Sequence, residues 1–181
     1  MALLAHLGIE RAHFGARDAR DWRGMVERHP DVVGSLTLVL PDEISSEVLA
    51  PIASRVMAVL GDQGEISMST QGAMFEILEA PVLTLRGYEA QPTSDAIADR
   101  TLAVQTSMCG FLERNASLPP LAFAGDARGE VAGVRYEIAG SGPPLVLLPQ
   151  GLAPSQWGLL LPELSERYAT IVVGGAGFGV G

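Results

Sequence analysis

Short apolar runs alternate with amphipathic helical stretches along the first two thirds of the chain, and this alternation constrains the fold more than any other feature. Each run is rich in aliphatic and β-branched residues, which is typical of a strand buried on both faces of a sheet. Strands are predicted over Ala12–Phe14, Ser35–Leu40, Arg55–Leu60 and Pro81–Leu85. Helices are predicted over Leu3–Leu7, Asp18–His29, Ser45–Ala53, Thr70–Leu78 and Ser94–Arg114.

A second group of elements follows a stretch that has lost this periodicity. Residues 115–130 are rich in proline, glycine and alanine, which predicts a linker. Beyond it, strands are predicted over Val134–Ala139, Leu145–Leu148 and Thr170–Val173, with a helix over Trp157–Leu164. Strands that alternate with helices in this way predict an α/β fold, namely a three-layer sandwich with a mostly parallel sheet between layers of helices.

The balance of charged residues argues against one large class of partners. The chain has 181 residues, of which twelve are arginine, none is lysine and twenty-one are acidic, for a formal net charge of −9. A nucleic-acid-binding protein needs a basic face, so no nucleic acid is expected. No apolar run reaches the length of a membrane span. The single cysteine, Cys109, gives no sign of an oxidising compartment, and a cytoplasmic setting is expected.

Two stretches of the chain resemble the α/β-hydrolase family, but in reversed order. LLAHLGIERAHFGARDARDWRGMVERHPDVVGSLTLVLP is similar to the middle of that fold, around its nucleophile elbow. GVRYEIAGSGPPLVLLPQGLAPSQWGLLLPELSERYATIVVGGAGFG is similar to the opening of the same fold. The resemblance implies that residues 1–114 correspond to the C-terminal half of the fold and residues 131–181 to its N-terminal strands. The fold is therefore expected in permuted or incomplete form.

The positions that carry catalysis in α/β-hydrolases hold other residues in this chain. The family needs a serine in the motif G-x-S-x-G, a histidine that takes its proton and an acid that orients the histidine. In the matching elbow, residues 15–19 (GARDA), Arg17 stands in place of the nucleophile. Gly64 stands at the position of the acid and Tyr88 at that of the histidine, and Gln150 precedes the glycine of the oxyanion loop.

These substitutions predict a catalytically inactive module with a structural, ligand-binding or partner-binding role and no cofactor. Loss of the nucleophile or the histidine costs a triad enzyme several orders of magnitude in rate. An arginine beside a helix N-terminus suits an anion, and the alternative is a surface arginine paired with an acid. A tyrosine at the position of the histidine either lines a ligand pocket or fills the space that the triad has left. The candidate pocket residues are Arg17, Asp18, Asp62, Tyr88, Gln150 and Gly151.

A weak esterase or thioesterase is the alternative function. It would use improvised groups such as Ser69, Asp62 or Tyr88. Such an enzyme would have a serine hydroxyl within hydrogen-bond distance of a histidine whose other ring nitrogen is bonded to a carboxylate. The three histidines (His6, His13 and His29) lack metal-ligand spacing, so no metal site is predicted.

The order of the two similar stretches also bears on partners. If the sheet is not closed off by its own termini, its edge strands are exposed, and exposed edges favour a homodimer or a domain-swapped dimer. Membership of a larger multidomain chain is the other arrangement that the resemblance implies. A small molecule is the expected ligand.

Overall fold

The strands that the structure describes lie in one sheet. The computed structural model describes residues 1–77, 80–115, 118–151 and 154–175. The strands within these ranges are β1 (Ala12–Ala16), β2 (Val33–Val39), β3 (Val56–Gln63), β4 (Val82–Glu89), β5 (Arg128–Val131), β6 (Val134–Ala139), β7 (Pro144–Leu147) and β8 (Ala169–Gly174). Their spatial order is β4-β3-β2-β1-β7-β8-β6-β5. All neighbours are parallel except at β6, which runs antiparallel to both β8 and β5.

Helices connect most of the parallel strands. Short 3-10 segments cover Pro30–Val32, Ala50–Arg55 and Pro154–Trp157. The α-helices of the described ranges are α1 (Ala2–His6), α2 (Ala19–Arg28), α3 (Ser46–Leu49), α4 (Glu65–Phe75), α5 (Ala96–Asp99), α6 (Thr101–Arg114) and α7 (Leu161–Leu164).

Both faces of the sheet are covered by an apolar core. On one face, Phe14 of β1 and Leu36 of β2 share a cluster with Trp22 of α2. On the other face, Val59 of β3 and Leu147 of β7 share a cluster with residues of α5, α6 and α7. A sheet with helices on each face has three layers. The predicted α/β class with a mostly parallel sheet is therefore confirmed.

The part of the chain before the predicted linker and the part after it join at the centre of this sheet. β1 from the first stretch pairs with β7 from the second, with His13 opposite Leu145 and Gly15 opposite Leu147. Glycine is needed at position 15 because a Cβ there would lie 2.8 Å from the ring of Trp157. The indole Nε1 of Trp157 donates a hydrogen bond to the carbonyl of Leu148 at 2.7 Å. Both stretches thus contribute to a single sheet within one chain.

The structure corrects two of the predicted helices. The helix predicted over Ser94–Arg114 is two helices, because the backbone leaves the helical conformation at Arg100 (φ −139°, ψ 38°). The helix predicted over Thr70–Leu78 begins at Glu65 instead, and Leu78 lies outside the described residues. Apolar periodicity does not mark its first turns, since α4 buries the polar residues Ser67 and Thr70 and exposes Met68.

Three further elements differ from their predictions. The end of the predicted linker forms the edge strand β5, whose short and polar sequence (RGEV) carries no apolar run. Prolines account for the two shorter helices, because proline supplies no backbone N–H and favours a helix start. Pro51 lies in the 3-10 segment that follows α3, and Pro162 lies in the first turn of α7. Within the described ranges, no helix is long and apolar enough to cross a membrane.

Candidate functional site

A cavity of about 220 Å³ lies at the carboxyl edge of the sheet. The strands β1, β2, β4 and β7 all end there, and the carboxyl edge of a parallel sheet is where α/β proteins usually bind ligands. Four of the predicted pocket residues line this cavity, namely Arg17, Asp18, Gln150 and Gly151. The polar wall is completed by Arg20, Asp21, Asp42 and Gln91.

Arg17 directly follows β1, and its side chain is 8% exposed. The guanidinium donates one hydrogen bond to the carbonyl of Gln91 at 2.8 Å and another to that of Ser94 at 2.7 Å. Burial lowers the pKa of Arg17, and nearby carboxylates, chiefly Asp42, oppose that shift. Arg17 is therefore a buried cation that ties the end of β1 to the loop after β4, and it is not a surface arginine paired with an acid.

Asp18 and Asp42 satisfy the first N–H groups of α2. Asp18 is the N-cap and accepts a hydrogen bond from the backbone N–H of Arg20 at 2.9 Å. A carboxylate oxygen of Asp42 accepts from the N–H of Ala19 at 3.0 Å. The side chain of Arg20 also pairs with Asp18 and lowers the pKa of that carboxyl. The helix N-terminus is thus already capped by carboxylates, which leaves it poorly suited to a simple anion.

Gln150 follows β7 and is 2% exposed. Its amide nitrogen Nε2 has no hydrogen-bond partner among the described residues. Gly151, next along the chain, has φ +92°, a left-handed conformation that favours glycine. The turn at Gly151 therefore directly follows Gln150, a buried amide whose N–H groups donate no hydrogen bond to the described part of the protein.

Asp62 and Tyr88 do not line this cavity, but the structure does bring them together. The backbone N–H of Tyr88 donates to the carboxylate of Asp62 at 3.2 Å. The phenol of Tyr88 donates to Asp99 at 2.8 Å, and the guanidinium of Arg100 lies 5.5 Å from the ring centre. Burial and the bond to Asp99 raise the pKa of Tyr88 to about 12. A phenol with this pKa is a poor general base at neutral pH.

A serine and a histidine do meet in the structure, but inside the core. Nδ1 of His13 lies 2.8 Å from Oγ of Ser35, and both residues are 0% exposed. The other ring nitrogen, Nε2, has no partner among the described residues, so no carboxylate there orients the ring. A substrate cannot reach a pair that is fully buried. Ser69 is exposed on α4 and makes no hydrogen bond to a histidine or a carboxylate in the described ranges.

Comparison with known proteins identifies no relative of the chain. No family model matches it, no curated protein matches it with a significant score, and no solved structure does so either. In the part of the chain that the structure describes, no group of three histidine, cysteine or acidic side chains could hold a metal ion. The function must therefore be inferred from the residues that line the cavity.

Two acidic residues of the site were missed in the sequence. Asp42 follows β2 closely, and its place after a strand next to β1 was a usable signal, because neighbouring parallel strands end at the same edge. Asp21 lies in the first turn of α2 and is half-buried. Burial, together with the charge of Asp18, raises the pKa of Asp21 to about 6. Nothing in the local sequence indicates this burial.

Proposed function

We propose that the protein is a catalytically inactive module with an α/β-hydrolase-like fold, and that its cavity at the carboxyl edge binds a small molecule. The observation that carries the proposal is the environment of Arg17. This residue stands where the resemblance expects the nucleophile, and its guanidinium is engaged by the carbonyls of Gln91 and Ser94. A guanidinium cannot attack a carbonyl carbon, and these bonds hold it in place.

The order of the strands supports a permuted α/β-hydrolase-like fold. If the strands are counted from β5, at the end of the predicted linker, β5 to β8 become strands one to four and β1 to β4 become strands five to eight. The spatial order then reads 1-2-4-3-5-6-7-8, with the second strand antiparallel to its neighbours. This is the order typical of α/β-hydrolases. The pairing of β1 with β7 within one chain favours a permuted domain over an incomplete one.

The other positions of the triad support inactivity. Gly64, at the position of the acid, has no side chain and adopts φ +86° at the start of α4. Tyr88, at the position of the histidine, is held by Asp99 and has a raised pKa. The His13–Ser35 pair does not replace the triad, because it is buried away from any substrate. No improvised nucleophile is therefore activated at the cavity.

Ester hydrolysis provides the direct test of inactivity. We expect no stoichiometric labelling by a serine-directed fluorophosphonate, and no turnover of p-nitrophenyl acetate above that of the heat-denatured protein. The Ser69→Ala variant is the matched control, and we expect it to behave as the wild type does. Stoichiometric labelling that Ser69→Ala abolishes would instead establish the alternative, a weak esterase.

Self-association through an edge strand remains a prediction. β4 and β5 each pair on one side only, and Val82 of β4 is 40% exposed. Both halves of the sheet already pair within one chain, so a homodimer needs no exchange of strands between chains. We expect it to form by pairing of the exposed edge of β4 with the same edge of a second copy. Light scattering after size exclusion should give twice the chain mass, and Val82→Lys should give a monomer. A monomeric wild type at high concentration would contradict the prediction.

We also propose a cellular compartment and an assembly for the protein. The acidic composition and the lone cysteine favour the cytoplasm. A place within a larger multidomain assembly fits a module that binds without catalysing.

A further inference from the structure

Two buried side chains that line the cavity, Arg17 and Gln150, carry donors with no carboxylate at hydrogen-bond distance in the described ranges. The Nε2 group of Gln150 carries two N–H donors and has no acceptor among the described residues. Arg17 donates to neutral carbonyls, and the nearby carboxylates, chiefly Asp42, act on its charge from beyond ion-pair distance in the described ranges. Buried polar groups in proteins nearly always have partners, and buried charges are usually paired. These two side chains therefore point to an acceptor group of a ligand, and a carboxylate meets both needs.

The same cavity also carries acidic groups that could neutralise a cation. Asp21 is half-buried and makes no side-chain hydrogen bond or ion pair in the described ranges. Asp42 uses Oδ1 for the N–H of Ala19. Asp18 is already paired with Arg20. Asp21 and Asp42 would repel a ligand that carried only a carboxylate, but they would attract one that also carried an ammonium group.

We propose that the cavity binds a small zwitterion, a molecule with one carboxylate and one ammonium group, such as a free amino acid. This inference rests on the proposed function, since it names the ligand class of the same cavity. The carboxylate accepts from Gln150 and faces Arg17, and the ammonium faces Asp21 and Asp42. The volume of about 220 Å³ favours a ligand of few atoms, because drug-sized molecules usually occupy about 300 to 1,000 Å³.

Isothermal titration calorimetry with four probes tests the ligand class. L-Alanine carries both charges, propionate only the carboxylate, propylamine only the ammonium, and propionamide neither. We expect L-alanine to bind at least about tenfold more tightly than each of the other three probes, because only it satisfies both sides of the cavity. Binding of propionate or propylamine as tightly as L-alanine would overturn the proposal, and so would a failure of L-alanine to bind.

A variant of Gln150 separates a ligand-binding role from a structural one. In Gln150→Leu, an unpartnered buried amide is replaced by an apolar group of similar size, so the free protein should be no less stable. Binding of L-alanine should weaken by about tenfold to a hundredfold, because a hydrogen bond to a charged group is lost. Gln105→Leu on α6 is the matched control and should leave binding unchanged. A Gln150→Leu protein that unfolds at lower denaturant and binds L-alanine as before would assign Gln150 a structural role.

The failure of this inference and that of the proposed function give different results. A screen of small fragments by amide chemical shifts reports any ligand near Gln150 and Gly151. Suppose that L-alanine does not bind, that another class of fragment shifts these amides, and that the fluorophosphonate does not label the protein. The proposal of a zwitterionic ligand is then overturned, while the proposal of a catalytically inactive ligand-binding module stands. Stoichiometric fluorophosphonate labelling with ester turnover would overturn the module itself.

Discussion

Replacing Arg17 with alanine is expected to lower the free energy of unfolding by about 3 kcal/mol. The guanidinium makes two hydrogen bonds, to the carbonyls of Gln91 and Ser94, and such charge-assisted bonds contribute about 1.5 to 3 kcal/mol each. The cost of burying the cation offsets part of this, as the lowered pKa of Arg17 indicates. Loss of the buried alkyl stem adds to the destabilisation. Urea unfolding of the two proteins measures the difference.

Arg20→Ala is the matched control for this experiment. Arg20 lies three residues along the chain and pairs with Asp18 at the surface, with 82% of its side chain exposed. Surface ion pairs contribute little because solvent screens them, so this variant should unfold close to the wild type. Amide hydrogen exchange should report faster opening of residues 91–95 in Arg17→Ala alone. Equal midpoints for the two variants would mean that Arg17 does not anchor the loop after β4.

Acidification is expected to destabilise the protein through His13. Burial, aided by the charge of Arg11, lowers the pKa of His13 from 6.5 to about 4. The unfolded chain therefore takes up the proton first as the pH falls. The contribution of neutral His13 to the free energy of unfolding is fully present above about pH 6.5 and is lost as the pH falls towards 4. The total loss over this range is about 3 kcal/mol. Urea midpoints measured across this range in wild type and in His13→Gln give the contribution of His13.

The comparison with His13→Gln is essential because Asp21 acts in the opposite direction. The pKa of Asp21 is raised from 3.8 to about 6, so the folded protein binds this proton first and gains stability as the pH falls between these values. The wild-type profile is the sum of both effects, and the difference between the two proteins isolates His13. His29→Gln, at an exposed histidine at the end of α2, is the control for removing a histidine from the chain. Parallel profiles for wild type and His13→Gln would contradict the assignment.

Several residues of the site could be predicted because their positions depend on local order along the chain. Arg17 and Asp18 follow an apolar run and begin a helix, so a strand-to-helix turn was predicted there. Gln150 and Gly151 likewise follow the apolar run of β7. Asp62 and Tyr88 were expected to follow strands but lie in the last residues of β3 and β4, and they bind each other and Asp99 rather than line the cavity. Nothing in the sequence specifies towards which neighbour a side chain at a strand end turns.

The sequence by itself determined the class of fold and most of its strands, because buried strands and amphipathic helices have apolar periodicities that can be read locally. It did not reveal β5 or the start of α4, whose buried or paired residues are polar. Only the tertiary structure decided that β1 pairs with β7 and that Arg17 bonds to carbonyls 74 and 77 residues away. It also decided that Gln150 is buried without a described partner. The physical reason is that burial and pairing depend on groups distant in the chain, on which local patterns carry no information.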